Sequence, residues 1–88
     1  MKTIQSIDNL VGRRVQTGSP GYEQLEFIQK VRTSEAYGSE RFIIWFASGF
    51  HTNMTETDLD LLMTEGEVEY TRFFAGKNDR AFETMSLV

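Results

Sequence analysis

Residues 41–51 read Arg41-Phe42-Ile43-Ile44-Trp45-Phe46-Ala47-Ser48-Gly49-Phe50-His51. The six apolar residues 42–47 are too few for a full helix and rich in β-branched and aromatic types, so they read as a strand covered on both faces. Period-two alternation sends Phe42, Ile44 and Phe46 to one side and Ile43 and Trp45 to the other. In a chain of 88 residues both sides can be dry only if a helix or a partner covers one of them. Ala47-Ser48-Gly49 then reads as a tight hairpin turn with Gly49 free to take positive φ. Residues 50–54 return, with Phe50, Thr52 and Met54 on one side and His51 and Asn53 on the other.

Downstream stands the best-specified local structure, a helix over 56–65. Thr55 is its N-cap and Asp58 its third position, a capping-box pattern, with Met54 and Leu59 placed for a hydrophobic staple. Glu56 and Asp58 suit the positive end of the helix dipole. Leu59, Leu62 and Met63 make the apolar stripe, and Gly66 ends the helix. Residues 67–74 form another strand, with Val68, Tyr70 and Phe74 on one face and Glu67, Glu69, Thr71 and Phe73 on the other. A turn follows at 75–80. Residues 81–88 are ambiguous between strand and short helix; a strand closing a hairpin is the expectation.

Upstream, Thr17-Gly18-Ser19-Pro20-Gly21 is the clearest break in the chain. Residues 22–33 read as a long half-buried strand, with Leu25, Phe27, Gln29 and Val31 on one face and Ile28 among charged residues on the other. Residues 11–16 are a first strand on which Val11, Arg13 and Val15 share a face. Ile4, Ile7 and Leu10 fall three apart and form one side of a short lead-in helical turn. Residues 33–40 are a polar loop.

This order predicts a single β-rich α+β domain over 1–88, built on a small antiparallel curved sheet or a partly open SH3-like barrel. Five to six strands and one short helix, at about 56–65 before the penultimate or last strand, complete it. The comparison with SH3-like barrels rests on element order alone and carries no function. Eleven aromatics offset the small core that so short a chain can bury.

Charge and composition narrow the function. The net charge of −4 argues against a general phosphate-backbone binder. Residues 42–71 carry six acids and no Lys or Arg, a solvated face or a negative patch that steers a basic partner. There is no cysteine, so disulfides and thiolate metal sites are excluded and a reducing cytoplasm suits the chain. The N-terminus is too polar for a signal peptide and no apolar run approaches a membrane span, so a soluble cytoplasmic protein, complete as given, is expected.

Chemistry-bearing patterns are sparse. The lone His51 has no nucleophile turn beside it and no ligand spacing with Glu56 and Asp58, which capping explains. Glu67 and Glu69 share a strand face without a sugar cleft. The 17–21 loop lacks the Lys-Ser/Thr of a phosphate loop. No catalytic residue, metal, cofactor, membrane or small-molecule substrate is expected.

Two binding readings remain. The first is a non-enzymatic protein-binding module, an accessory or inhibitor protein of the kind encoded by phages or mobile elements. It would use an apolar and aromatic sheet face of Ile28, Ile43, Trp45 and Phe73 with the acids Glu67 and Glu69, toward another protein or a second copy in a homodimer. The second is a single-stranded nucleic-acid-binding small barrel that uses Arg13, Arg14, Lys30, Arg32 and Arg41 with aromatics to stack bases. Against the second stands the interleaving of Glu23, Glu26, Glu35 and Glu40, which are expected to pair with those bases across strands.

Overall fold

The structure is a computed structural model that describes residues 8–88. The expected contributions of Ile4 and Ile7 lie outside the described residues. Six strands form one antiparallel sheet: β1 Arg14–Gly18, β2 Gln24–Thr33, β3 Arg41–Phe46, β4 His51–Thr55, β5 Glu67–Phe73 and β6 Arg80–Leu87. After a single 3-10 turn at Asp8–Leu10, the one α-helix among the described residues, α1 Glu56–Glu65, links β4 to β5 and so carries the chain from one sheet edge to the other. The order across the sheet is β4-β3-β2-β1-β6-β5. The residues at 80–87 are a strand, in register with both β5 and β1.

The helix forms where the local signals agree. Thr55 Oγ1 accepts the Asp58 N–H at 3.1 Å, and Asp58 Oδ2 accepts the Thr55 N–H at 3.3 Å. Gly66 takes φ 82° and returns its N–H to the Leu62 carbonyl at 3.0 Å. Leu59 and Leu62 are fully buried, with Met54 of the staple and Met63 packed beside them. The helix thus seals the inside of the curved sheet and leaves its outer face uncovered. Thr55→Ala removes the cap's side-chain acceptor and is expected to cost about 1 kcal/mol in urea unfolding.

The core follows the alternation of β3. Phe42, Ile44 and Phe46 point inward and are buried, while Ile43 and Trp45 turn outward and are half-buried. Val15, Val31, Val68, Tyr70 and Met85 complete it.

Three expectations are corrected. In β2 the pairing passes from Ile28↔Phe46 to Lys30↔Trp45, skipping Gln29. That bulge puts Ile28 and Val31 both inside and turns Leu25 and Phe27 outside, the reverse of simple alternation. Val11 is 44% exposed because 10–13 is a turn, closed by Arg13 N–H to the Leu10 carbonyl at 3.0 Å; Leu10 itself is buried. Phe50 is 68% exposed because it belongs to the β3–β4 turn, where its carbonyl accepts the Phe46 N–H.

The sheet is not closed into a barrel: β4 and β5 meet without a backbone ladder. Side chains make the join. Asn53 Nδ2 donates to the Phe73 carbonyl at 2.5 Å, and its Oδ1 accepts the Phe73 N–H at 3.1 Å. One amide thus stands in for a strand partner. Arg41 Nε donates to the same Oδ1 at 2.8 Å, and its Nη2 to the Thr71 carbonyl.

Candidate functional site

The outer face of β1–β4 gathers most of the side chains singled out in the sequence. Cross-strand pairs there run Arg14↔Phe27, Gln16↔Leu25, Lys30↔Trp45↔His51 and Arg32↔Ile43↔Asn53. Trp45 lies under Lys30, whose Nζ is 4.6 Å from the ring centroid. His51 sits beside Trp45 with ring centroids 6.3 Å apart, and Tyr37 continues the row at 6.3 Å from His51. The Tyr37 hydroxyl meets His51 Nε2 at 3.1 Å, which ties the 34–40 loop to β4.

The apolar members of the expected patch separate. Ile28 is fully buried and cannot contribute to a surface; the bulge explains its move. Ile43 and Trp45 share the outer face, half-buried between neighbouring side chains. Phe73 lies across the β4–β5 join, under the Arg41 guanidinium at 4.3 Å. The residues that alternation placed inside, Leu25 and Phe27, are 59% and 46% exposed, opposite Gln16 and Arg14 of β1. The triplet Leu25, Phe27 and Ile28 was the signal, since three apolar residues in four positions cannot all share one strand face.

The basic residues divide as well. Arg13, Arg14, Lys30 and Arg32 are exposed. Among the described residues the one ion pair is Arg72–Glu83, so none of these four pairs with an acid. Glu23 and Glu26 instead accept from the hydroxyls of Thr84 at 2.9 Å and Ser48 at 2.7 Å. Arg41 is buried in the join, where burial pulls its guanidinium below the ordinary value against the opposing pull of Asp58. It is therefore a structural cation and not a free contact.

Glu67 and Glu69 face outward on β5, opposite Ser86 and Thr84 of β6. With Glu23 they line an open groove of about 290 Å³. The Glu23 carboxyl is held below its usual range by hydrogen bonds from its own backbone region, from Thr84 and from Gly21. Phe82, 54% exposed on β6, lies on this same outer side opposite Thr71.

Inside the sheet lies a polar network that sequence reading missed. Tyr70 donates to Glu83 Oε1 at 2.7 Å, and its hydroxyl lies 3.1 Å from Thr17 Oγ1 and 3.3 Å from Thr52 Oγ1. Thr52 also donates to Glu83 Oε1 at 3.2 Å, and Arg72 reaches Oε2 at 3.3 Å. Burial above all, with the nearby Glu83 charge, pushes the Tyr70 hydroxyl well above its ordinary pKa. Each hydroxyl and both carboxylate oxygens of Glu83 have a partner, as a buried polar cluster requires; Arg72 Nε alone is buried without one.

Among the described residues no three His, Cys, Asp or Glu side chains form a metal-ligating group, and no helix is long and apolar enough to cross a membrane. The chain matches no protein-family model, no curated protein and no solved structure.

Proposed function

We propose that this protein works by binding another protein through the outer face of β2 and β3, as an accessory or inhibitor protein without catalysis of its own. The observation that carries this reading is the mid-strand exposure of Leu25 and Phe27, 59% and 46%, held outward by the bulge. Two large apolar side chains on an ordered strand, beside half-buried Ile43 and Trp45, make an anchor of the kind that dominates interfaces. Arg14, Lys30 and Arg32 rim it without acidic partners of their own. A complementary surface is therefore apolar at its centre and acidic at its edge. The cysteine-free composition supports a reducing compartment, the cytoplasm, as its place.

A second reading, single-stranded nucleic acid, is favoured by one specific feature. The Tyr37–His51–Trp45 row lies next to Lys30 and Arg32, and the acids expected to neutralise the bases turn elsewhere. Trp45 is the only tryptophan, so its emission reports on this face alone. For a protein partner, capture on immobilised protein should fall roughly 30-fold in affinity with Leu25→Ser plus Phe27→Ser, the scale of one lost hot spot. Arg13→Glu plus Arg14→Glu, which reverses only part of the basic rim and keeps both apolar anchors, should weaken capture by less than that. Titration with a thymidine oligonucleotide should leave Trp45 emission unchanged. A saturable, salt-dependent quench that Arg13→Glu plus Arg14→Glu abolishes would replace the first reading by the second.

A further inference from the structure

The outer sheet carries two exposed apolar sites with rims of opposite sign. On β1–β2, Leu25 and Phe27 stand beside Arg14, with Lys30 and Arg32 further along β2 on the same face. On β5–β6, Phe82 stands near Glu69, with Glu67 and Glu23 along the same face. Phe82 is 54% exposed, and the three acids are exposed and form no ion pair among the described residues. The second surface has the composition that complements the first, an apolar centre with acids beside it.

We infer that the partner of the β2–β3 face is a second copy of this chain, presenting its β5–β6 face. This inference rests on the protein-binding reading and names its partner. The mode of association follows from topology. Six strands in the order β4-β3-β2-β1-β6-β5 bring β4 back to β5 through Asn53. β2–β3 and β6–β5 therefore lie about half a circuit apart and face away from each other. A two-fold dimer that buries both faces of one copy against both of another is then geometrically excluded. The contact is heterologous, head to tail, and repeats into a ring or an open chain. The same complementarity orients the copies, because like faces would oppose charges of one sign.

The test uses sedimentation of the whole chain with two charge-reversed variants, Lys30→Glu plus Arg32→Glu and Glu67→Lys plus Glu69→Lys. All four positions are exposed, and circular dichroism verifies that each variant folds. The wild type should grow past the dimer as concentration rises toward about 1 mM. Each variant alone, with one sign on both faces, should remain monomeric. Their equimolar mixture should associate again, because each then meets the opposite sign. A wild type that stays monomeric throughout, a discrete two-fold dimer indifferent to both variants, or a mixture that stays monomeric would each overturn the inference.

A photocrosslinking benzoylphenylalanine in place of Phe27 separates this inference from the reading beneath it. A crosslink in purified protein to the peptide that contains Phe82 supports the second copy. Crosslinks in extract to a foreign protein alone overturn the second copy and leave the protein-binding face standing. No protein crosslink under either condition overturns both.

Discussion

Asn53→Ala is expected to destabilise the protein by about 3–5 kcal/mol, measured by urea unfolding. The side chain is fully buried and makes three hydrogen bonds, two of them with the main chain of Phe73. Alanine strands the Phe73 N–H and carbonyl, and it leaves the Arg41 guanidinium with one acceptor fewer. Each stranded buried group costs about 1–3 kcal/mol. A domain of this length holds only about 4–13 kcal/mol in all, so the variant sits near the edge of folding. The join between β4 and β5 has no backbone ladder to fall back on. Asn53→Asp should lose less. It keeps acceptors for Phe73 N–H and Arg41, but sets a carboxylate oxygen against the Phe73 carbonyl. A loss below about 1 kcal/mol for Asn53→Ala would show that packing alone holds the two edges together.

That join also marks the boundary of what sequence reading reached. The helix and β3 were legible because local rules decide them. The Thr55–Asp58 capping box, the Leu59–Leu62–Met63 stripe and Gly66 agree with one another, and β3 alternates without interruption. β2 was legible in extent but not in facing. Its bulge at Gln29 inverts the sides of Leu25, Phe27 and Ile28, and a register shift is set by the partner strand and not by the strand's own residues. Asn53 read only as a strand residue on the same side as His51. Only the return of β5 to the edge of β4 gives its amide a main chain to bond.

The candidate site was legible in the same uneven way. Trp45 and Ile43 were placed on the outer face because alternation in β3 holds. Arg41 was grouped with the free bases, yet burial and two acceptors commit it to the join. Acids were expected to neutralise the bases across strands. Which side chains stand opposite one another depends on register, and here Glu23 and Glu26 face Thr84 and Ser48. The basic rim and the acidic groove thus separate onto different parts of one sheet, although acids and bases intermix along residues 1–41.

Glu83→Ala is the second large loss expected, again about 3–5 kcal/mol in urea unfolding near neutral pH. The carboxylate accepts from Tyr70, Thr52 and Arg72, and its removal leaves two buried hydroxyls and a largely covered guanidinium without it. Partial exposure of Arg72, 25% for its side chain, sets the expectation toward the lower end of that range. Glu83→Leu adds volume without acceptors and should fare no better.

The same network fixes the alkaline limit of the fold. Tyr70 is neutral and buried in the folded protein, with its pKa raised above the ordinary tyrosine value of 10.0. In the unfolded chain the hydroxyl ionises near that ordinary value. The unfolded state therefore releases a proton over a range in which the folded state keeps it, so stability falls as pH rises. This contribution is complete below about pH 10 and is lost as pH climbs from there toward the folded pKa. The urea midpoint should drop steeply above pH 10. Tyr70→Phe should lower the midpoint at pH 7, because Glu83 loses a donor, and should also flatten the alkaline slope, because no buried hydroxyl remains to ionise. An unchanged slope in that variant would assign the alkaline loss to other groups and remove Tyr70 as its cause.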